Sequence, residues 1–450
     1  MNINHRIVDM FKDVVSTDDN RLFLVGGTVR DILLGRVPED IDLCVVGGVN
    51  DIINIFGEAH PAHHDAPVFQ VNYMGLRLDV ALARSERSTG PLSESFLYSL
   101  VGSIEEDLER RDVTINAMAI RVSDGLLIDP FGGLLDLQQK RLHPVSESFA
   151  ESAERLGRVA ALVAIFGFEP SDLLISVCRN MAHSFALVSK DQMFKQFWGK
   201  ALVRGKYFSK MFQFLIDSWG IFATPQLGHM HNCEQNLTHH PEGNVLNHVG
   251  LVLDALGSRH PGRRLPLYIS GALLVHDMGK VVATYIDAEK GVVSPGHEHE
   301  HEMAREFLTR IGFPKKLFKK VFTLVDLHMR RDIPTPRAKG RVLRKLAEAG
   351  LSAQDLFIVQ YYDGIGRGPG VEHKFPQGAY DLIEFEAEFL RREAEVAARG
   401  KNILTGHDIM RLGVKQGPEI GRLLRIVQEA FMANEIETKD DAFDLVRLNL

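Results

Sequence analysis

Hydrophobic and polar positions change rhythm along this chain near residue 145. Before it, short apolar runs such as Leu22–Val25 and the alternating stretch Leu76-Arg-Leu-Asp-Val-Ala-Leu-Ala83 are separated by glycine and polar punctuation, the pattern of strands joined by turns. After it, the spacing turns helical and stays so, with an apolar-faced stretch at Asn247–Ala255 and a strongly apolar one ending at Val275. The segment Arg21-Leu-Phe-Leu-Val-Gly-Gly-Thr-Val-Arg-Asp-Ile-Leu-Leu-Gly35 predicts strand, glycine turn and helix in succession. Glu39-Asp-Ile-Asp-Leu-Cys-Val-Val46 predicts a strand emerging from a turn.

Composition adds limits rather than detail. At 450 residues the chain exceeds what one hydrophobic core usually serves, so two to four domains are expected. The start, Met1 to Val15, lacks a basic segment followed by an apolar one, and no apolar run reaches membrane-spanning length. Cys44, Cys178 and Cys233 lie far apart without a CxxC pair, which argues against a disulfide framework and for a reducing compartment, the cytoplasm. A formal charge of −7 does not advertise nucleic-acid binding, but a local basic surface suffices for that. Arg330 to Lys345 holds seven Lys or Arg residues against one acid, Asp332, with Lys315, Lys316, Lys319 and Lys320 just upstream.

The candidate chemistry falls in two places. A glycine turn at Gly26-Gly27 opening a helix presents free N–H groups and a positive dipole end to a triphosphate, with Arg30 one turn in. On the following strand Asp40 and Asp42, two apart, project to one face, about 6–7 Å between Cα atoms. Two such acids repel unless a cation lies between them, and magnesium is the ion that carboxylates and nucleotide phosphates hold jointly. An isolated D-x-D is ordinarily a solvent-facing turn; its place shortly after the Gly26-Gly-Thr-Val-Arg-Asp31 turn makes it a candidate site, with Asp79 a candidate third acid.

Gly26-Gly-Thr-Val-Arg-Asp31, Asp40-Ile-Asp42, Arg110-Arg-Asp-Val-Thr-Ile-Asn-Ala-Met-Ala119 and Ile128-Asp-Pro-Phe-Gly-Gly133, in this order, resemble the signatures of the class II tRNA nucleotidyltransferase and bacterial poly(A) polymerase family. The resemblance implies an α+β chain: a nucleotidyltransferase palm of mixed sheet and helices at 1–145, a helical neck at 146–239, a third domain at 240–370 and a helical tail at 371–450. It implies Mg²⁺ on Asp40 and Asp42, and Gly27, Arg30 and Arg111 on the incoming nucleotide. ATP, CTP and tRNA are then the partners, and an RNA 3′-hydroxyl attacks the α-phosphate. At the neck, the family's Glu-Asp-x-x-Arg reader is matched by Glu151, Arg155 and the neighbouring Arg158, but its Asp is Ser152. Serine is neutral and shorter, so base discrimination is expected to change there. A second helix that usually bears Glu-Arg reads Asp191-Gln-Met-Phe-Lys-Gln and fits poorly.

The third domain carries His248, then Ser270-Gly-Ala-Leu-Leu-Val-His276-Asp277-Met-Gly-Lys280, then His297, His328 and Asp363. The adjacent His-Asp followed by Met-Gly-Lys resembles the HD phosphohydrolase superfamily. His248, His276, Asp277 and Asp363 are the expected metal ligands, and His297 and His328 would widen the site to two ions, with His299 and His301 as competitors for His297's place. Imidazole with carboxylate suits Ni²⁺, Mn²⁺, Fe²⁺ or Mg²⁺. The implied chemistry is hydrolysis of 2′,3′-cyclic and 2′-phosphates. His5, His60 and His143 are read as inert, and monomer and homodimer both stay open.

Overall fold

The computed structural model describes residues 1–3, 5–15, 20–62, 66–89, 96–259, 266–373, 375–399, 403–432 and 435–450. The chain divides into two compact units, Met1–Pro225 and Gln226–Leu450.

The first unit is built on a seven-stranded mixed sheet: β1 (Leu22–Val25), β2 (Asp42–Val45), β3 (His60–Pro61), β4 (Val68–Tyr73), β5 (Leu76–Leu82), β6 (Ala119–Arg121) and β7 (Leu127–Ile128). Their spatial order is β3-β4-β5-β2-β1-β6-β7. Only β2 and β5 run parallel, and their register sets Asp42 opposite Asp79. The central strands are apolar because both of their faces are covered. Leu22, Leu24, Leu43, Val45 and Val80 are all buried, and Phe23, Val25 and Cys44 pack with Ile104 and Leu108.

Helices follow. Glu154–Phe166 is the central one, buried on nearly every side, as an apolar-all-round helix must be. Gly157 brings it against Phe185 and Phe197, where an added Cβ would stand 3.1 and 3.2 Å from ring and side-chain carbons. Its first turns carry Arg155 and Arg158.

Among its described residues the second unit is helical apart from one small hairpin, Tyr285–Asp287 with Gly291–Val293. Helix Leu267–Val275 is wholly apolar after its first turn and delivers His276 and Asp277 into the interior. Val245–Arg259, Phe318–Leu327 and Ala353–Ile365 pack around it. Towards the C-terminus, Thr405 caps Gly406–Met410 in a box with Asp408, and Pro418 opens Pro418–Met432.

The basic stretch 330–345 is largely consumed within this unit. Arg337 pairs with Glu435 (2.6 Å) and Lys345 with Asp326 (2.7 Å), Arg331 pairs with Asp363, and Lys339 and Arg341 lie 3.8 and 3.7 Å from Asp381 and Glu429. A stretch that looks like a phosphate-binding surface in sequence is thus mostly an intramolecular ion-pair network. Among the described residues, no helix is long and apolar enough to cross a membrane.

Candidate functional sites

The first site forms where the glycine turn meets the acids. Gly26 has φ +64°, a left-handed conformation, and a Cβ there would stand 2.7 Å from Arg111 Nη1. Glycine therefore does two things: it makes the turn into helix Gly27–Leu33, and it lets the Arg111 guanidinium close over it. Thr28 ties this helix to the acids. Its Oγ1 donates to the Asp40 carbonyl (3.1 Å) and accepts from the Asp42 N–H (2.8 Å). That clamp explains a departure from expectation: β2 begins at Asp42, and Asp40 lies in the bend before it instead of on the strand. Backbone groups committed to a side chain are not offered to a neighbouring strand.

Asp40 and Asp42 line one cleft of about 510 Å³ together with Gly26, Gly27, Arg30 and Arg111. Confinement in the cleft raises the Asp42 carboxyl's pKa; Arg111 opposes this, and the charge of Asp40 adds to it. A pair of carboxylates that disfavour each other's charge is a fitting seat for a hard cation. Arg30 is fixed by Asp31 (Nη2 to Oδ1, 2.9 Å) and Asn116 (2.7 Å). Arg111 donates to Asp107 Oδ2 at 2.9 Å. Arg111 and Arg110 together pull the buried Asp107 down to about 2 despite its desolvation. Asp107 therefore stabilises the fold fully above its ordinary value of 3.8, and that stability fades as pH falls toward about 2. Asp107→Asn is expected to cost about 2 kcal/mol at neutral pH, and the gap from wild type should narrow between pH 4 and pH 2 in denaturant melts. A gap that stays constant over this window would contradict the account.

On the opposite wall, Ser152, Arg155 and Arg158 all line the cleft, whereas Glu151 ends the preceding 3₁₀ turn, outside the described lining. Arg155 donates to the carbonyls of Ser148 (2.5 Å) and Arg110 (2.6 Å), tying the start of helix Glu154–Phe166 to both segments. Asp79, opposite Asp42 in register, is also outside the lining.

Further polar residues line the cleft, among them Asp112, Asn116, Lys200 and Arg204. Arg158 donates to Asp112 Oδ2 (2.9 Å), and this bond, with those from Asn116 and Val113, holds the Asp112 carboxyl well below the usual range against its burial. Asp112 and Asn116 fall inside a motif that sequence reading had credited only with Arg111. The others, Lys200 and Arg204, lie on the segment running from Lys190 through the π-helical Met193–Trp198 to Arg204. The four-residue spacing of Gln196, Lys200 and Arg204 puts them on one helix face, a signal hidden by the search for a Glu-Arg pair.

The second site lies in the other unit. His248 Nε2 and His276 Nε2 are 3.3 Å apart, and Asp363 Oδ1 is 3.2 Å from the first and 3.6 Å from the second. Asp277 Oδ2 faces both imidazoles at 3.6 and 3.5 Å. Its other oxygen, Oδ1, faces His297 Nε2 (3.0 Å) and His328 Nε2 (3.7 Å). All six side chains are buried. His299 is exposed and His301 pairs with Asp326 at 3.0 Å, so His297 takes the inward place.

The imidazoles share one arrangement. The Nδ1 atoms of His276, His297 and His328 meet the carbonyls of Leu273, Ser294 and Val325 at 2.8, 2.8 and 2.6 Å, and His248 Nδ1 meets Glu242 Oε1 at 2.9 Å. A carbonyl oxygen accepts only, so at His276, His297 and His328 Nδ1 carries the proton and the Nε2 lone pairs turn inward, as in metal-ligating histidines. His297 Nε2, though buried, completes no hydrogen bond, and Asp277 Oδ2 meets Lys280 Nζ at 2.7 Å. The donor set therefore fits divalent metal in two groups that share Asp277: His248, His276 and Asp363 on one side, His297 and His328 on the other. Gly279 makes room for this, since a Cβ there would stand 2.1 Å from the His297 carbonyl oxygen.

Comparison with known proteins bears on both units. Residues 22–143 match the poly(A) polymerase head domain. The multifunctional CCA protein of Halorhodospira halophila is 30% identical over 418 residues, covering 90% of this chain and 94% of that protein. Its counterpart in Pseudomonas aeruginosa is 36% identical over 276 residues, 59% of this chain and 65% of that protein. Among solved structures, the Bacillus stearothermophilus CCA-adding enzyme in complex with CTP aligns over 98% of this chain and 96% of its own, at 20% identity and a TM-score of 0.66. The Thermotoga maritima CCA-adding enzyme complexed with tRNA aligns over 100% and 96%, at 18% identity and a TM-score of 0.53. These two establish the α+β fold. Near-full-length kinship joined to the cleft motifs settles descent: the chain belongs to the multifunctional CCA protein family of CCA-adding nucleotidyltransferases.

Proposed function

We propose that the chain adds CMP and AMP to tRNA 3′ ends at the first cleft and hydrolyses phosphoesters at the second site. The observation that carries the first part is the convergence of Asp40, Asp42, the Gly26-Gly27 turn and Arg111 in one cleft. There, the helix N-terminus, Arg30 and Arg111 bind the triphosphate of ATP or CTP. Asp40 and Asp42 hold Mg²⁺, which when bound neutralises charge on the phosphate and the attacking and leaving oxygens. The tRNA 3′-oxygen bonds to the α-phosphorus as the bond to pyrophosphate breaks. The chain's part is to align the reactants and offset the developing charge.

The opposite wall reads the base. Arg155 gives Nη1 and Nη2 to backbone carbonyls and keeps Nε unbonded, so the polar edge presented to the base comes from Ser152, from Arg155 Nε and from Asp112 braced by Arg158. Ser152 motivates a second reading, a polymerase of the same family with altered product: A only, CC only, or a single nucleotide. Incubation with magnesium, tRNAs ending at the discriminator base, at C and at CC, and each nucleoside triphosphate separates the two. Ordered addition that stops at CCA is expected. Long tails, one addition, or incorporation of U or G would favour the second reading.

At the second site the reading rests on the six buried ligands. His248, His276, Asp277 and Asp363 hold one divalent ion, Ni²⁺, Mn²⁺ or Mg²⁺, and His297 and His328 with Asp277 a second; such ions lower the pKa of bound water. The resemblance to HD phosphohydrolases points to 2′,3′-cyclic and 2′-phosphates as substrates. Free thiols at Cys44, Cys178 and Cys233 accord with a cytoplasmic location.

A further inference from the structure

Beside the histidine–carboxylate cluster lies a separate cavity of about 270 Å³, lined by Gln235, His239, His240, Lys280, Ser294 and Arg367 among others. None of its lining residues is a carboxylate. Lys280 Nζ forms its boundary with the cluster, 2.7 Å from Asp277 Oδ2 on one side and 2.7 Å from Gln235 Oε1 on the other. Two donors remain unanswered. Gln235 is 7% exposed, and its Nε2 has no hydrogen-bond partner; the buried Arg367 Nε has none either. A buried donor left without an acceptor is costly, and a rigid fold tolerates it where a ligand supplies the acceptor.

Orphaned donors, two cationic side chains and two imidazoles, with no acid among the lining residues, call for a compact anion rich in acceptor oxygens. We propose that this cavity seats the non-bridging oxygens of a phosphate ester, with Gln235 Nε2, Arg367 and Lys280 as its donors, so that the phosphorus comes to the edge of the Asp277 cluster. The inference rests on the reading of that cluster as a phosphoester hydrolase and names the part of the chain that holds the substrate. Selection then follows from charge and acceptor geometry: a tetrahedral dianion satisfies several donors at once, whereas a planar monoanion such as acetate leaves some unpaired.

The test is calorimetric titration of inorganic phosphate, with acetate as comparator, into the full chain. An Arg111→Ala background keeps the nucleotide cleft from competing. Manganese is loaded and counted by electron paramagnetic resonance. Arg367→Gln and Gln235→Leu are each expected to weaken phosphate binding about tenfold or more, with manganese stoichiometry unchanged and acetate bound weakly by every form. Arg367→Lys, which keeps the charge, should lose less than Arg367→Gln. Phosphate affinity unaltered by both Arg367→Gln and Gln235→Leu would overturn the proposal, as would acetate binding equal to phosphate. Absence of manganese from the parent, with phosphate binding still sensitive to Arg367, would defeat the metal-site reading alone and leave the anion seat standing.

Discussion

Asp42→Asn should reduce nucleotide addition by roughly 10³-fold or more, the several kcal/mol that a bound cation contributes to phosphoryl transfer. The substitution keeps the side chain's size and leaves the Asp42 N–H on Thr28 intact, so the turn and β2 should survive. What disappears is half of the carboxylate charge that Asp40 and Asp42 together bring to the cleft. The measurement is extension of tRNA ending at the discriminator base with labelled CTP and ATP, beside hydrolysis of a nucleoside 2′,3′-cyclic phosphate. Addition should collapse while hydrolysis continues at the parental rate. Extension within tenfold of the parent would remove Asp42 from the metal site, and loss of both activities would contradict two independent centres.

The mirror image is Asp277→Asn. This carboxylate faces His248 and His276 with one oxygen and His297 and His328 with the other, so its loss weakens both metal groups at once. Hydrolysis should fall about 10³-fold or more, and bound transition metal, measured by mass spectrometry, should fall with it. His276→Ala should cost one ion and His297→Ala the other, which tells a two-ion centre from a one-ion centre. Because asparagine leaves Lys280 facing a neutral amide, the variant's melting temperature has to be recorded alongside. Full hydrolysis with full metal content would exclude Asp277 as a ligand. Addition of C and A to tRNA should be untouched.

The two experiments together separate the activities by residue, which the cleft geometries already separate by position. Among the described residues each candidate centre is contained within its own compact unit: the nucleotide cleft draws on residues up to Arg204, the histidine–carboxylate cluster on residues from His248 to Asp363.

The chain's sequence by itself determined the local pieces. Strand Leu22–Val25 and its glycine turn, the helix that ends in His276-Asp277, and the caps at Thr405 and Pro418 follow from short-range rules of periodicity, backbone freedom and capping. The order of motifs likewise named Gly27, Arg30, Arg111, Asp40 and Asp42, and the cleft gathers all five. Tertiary structure decided what depends on partners distant in sequence. Asp40 leaves the strand because Thr28 claims the backbone around it, and Arg155 becomes a brace because two carbonyls lie within its reach. Arg158 finds Asp112 46 positions away, and the basic run at 330–345 meets acids far from it in sequence. A sequence lists which charges exist, but Coulomb and hydrogen-bond energies fall off over a few ångströms. Which of those charges remain open to a substrate is therefore settled only when the chain has chosen their neighbours.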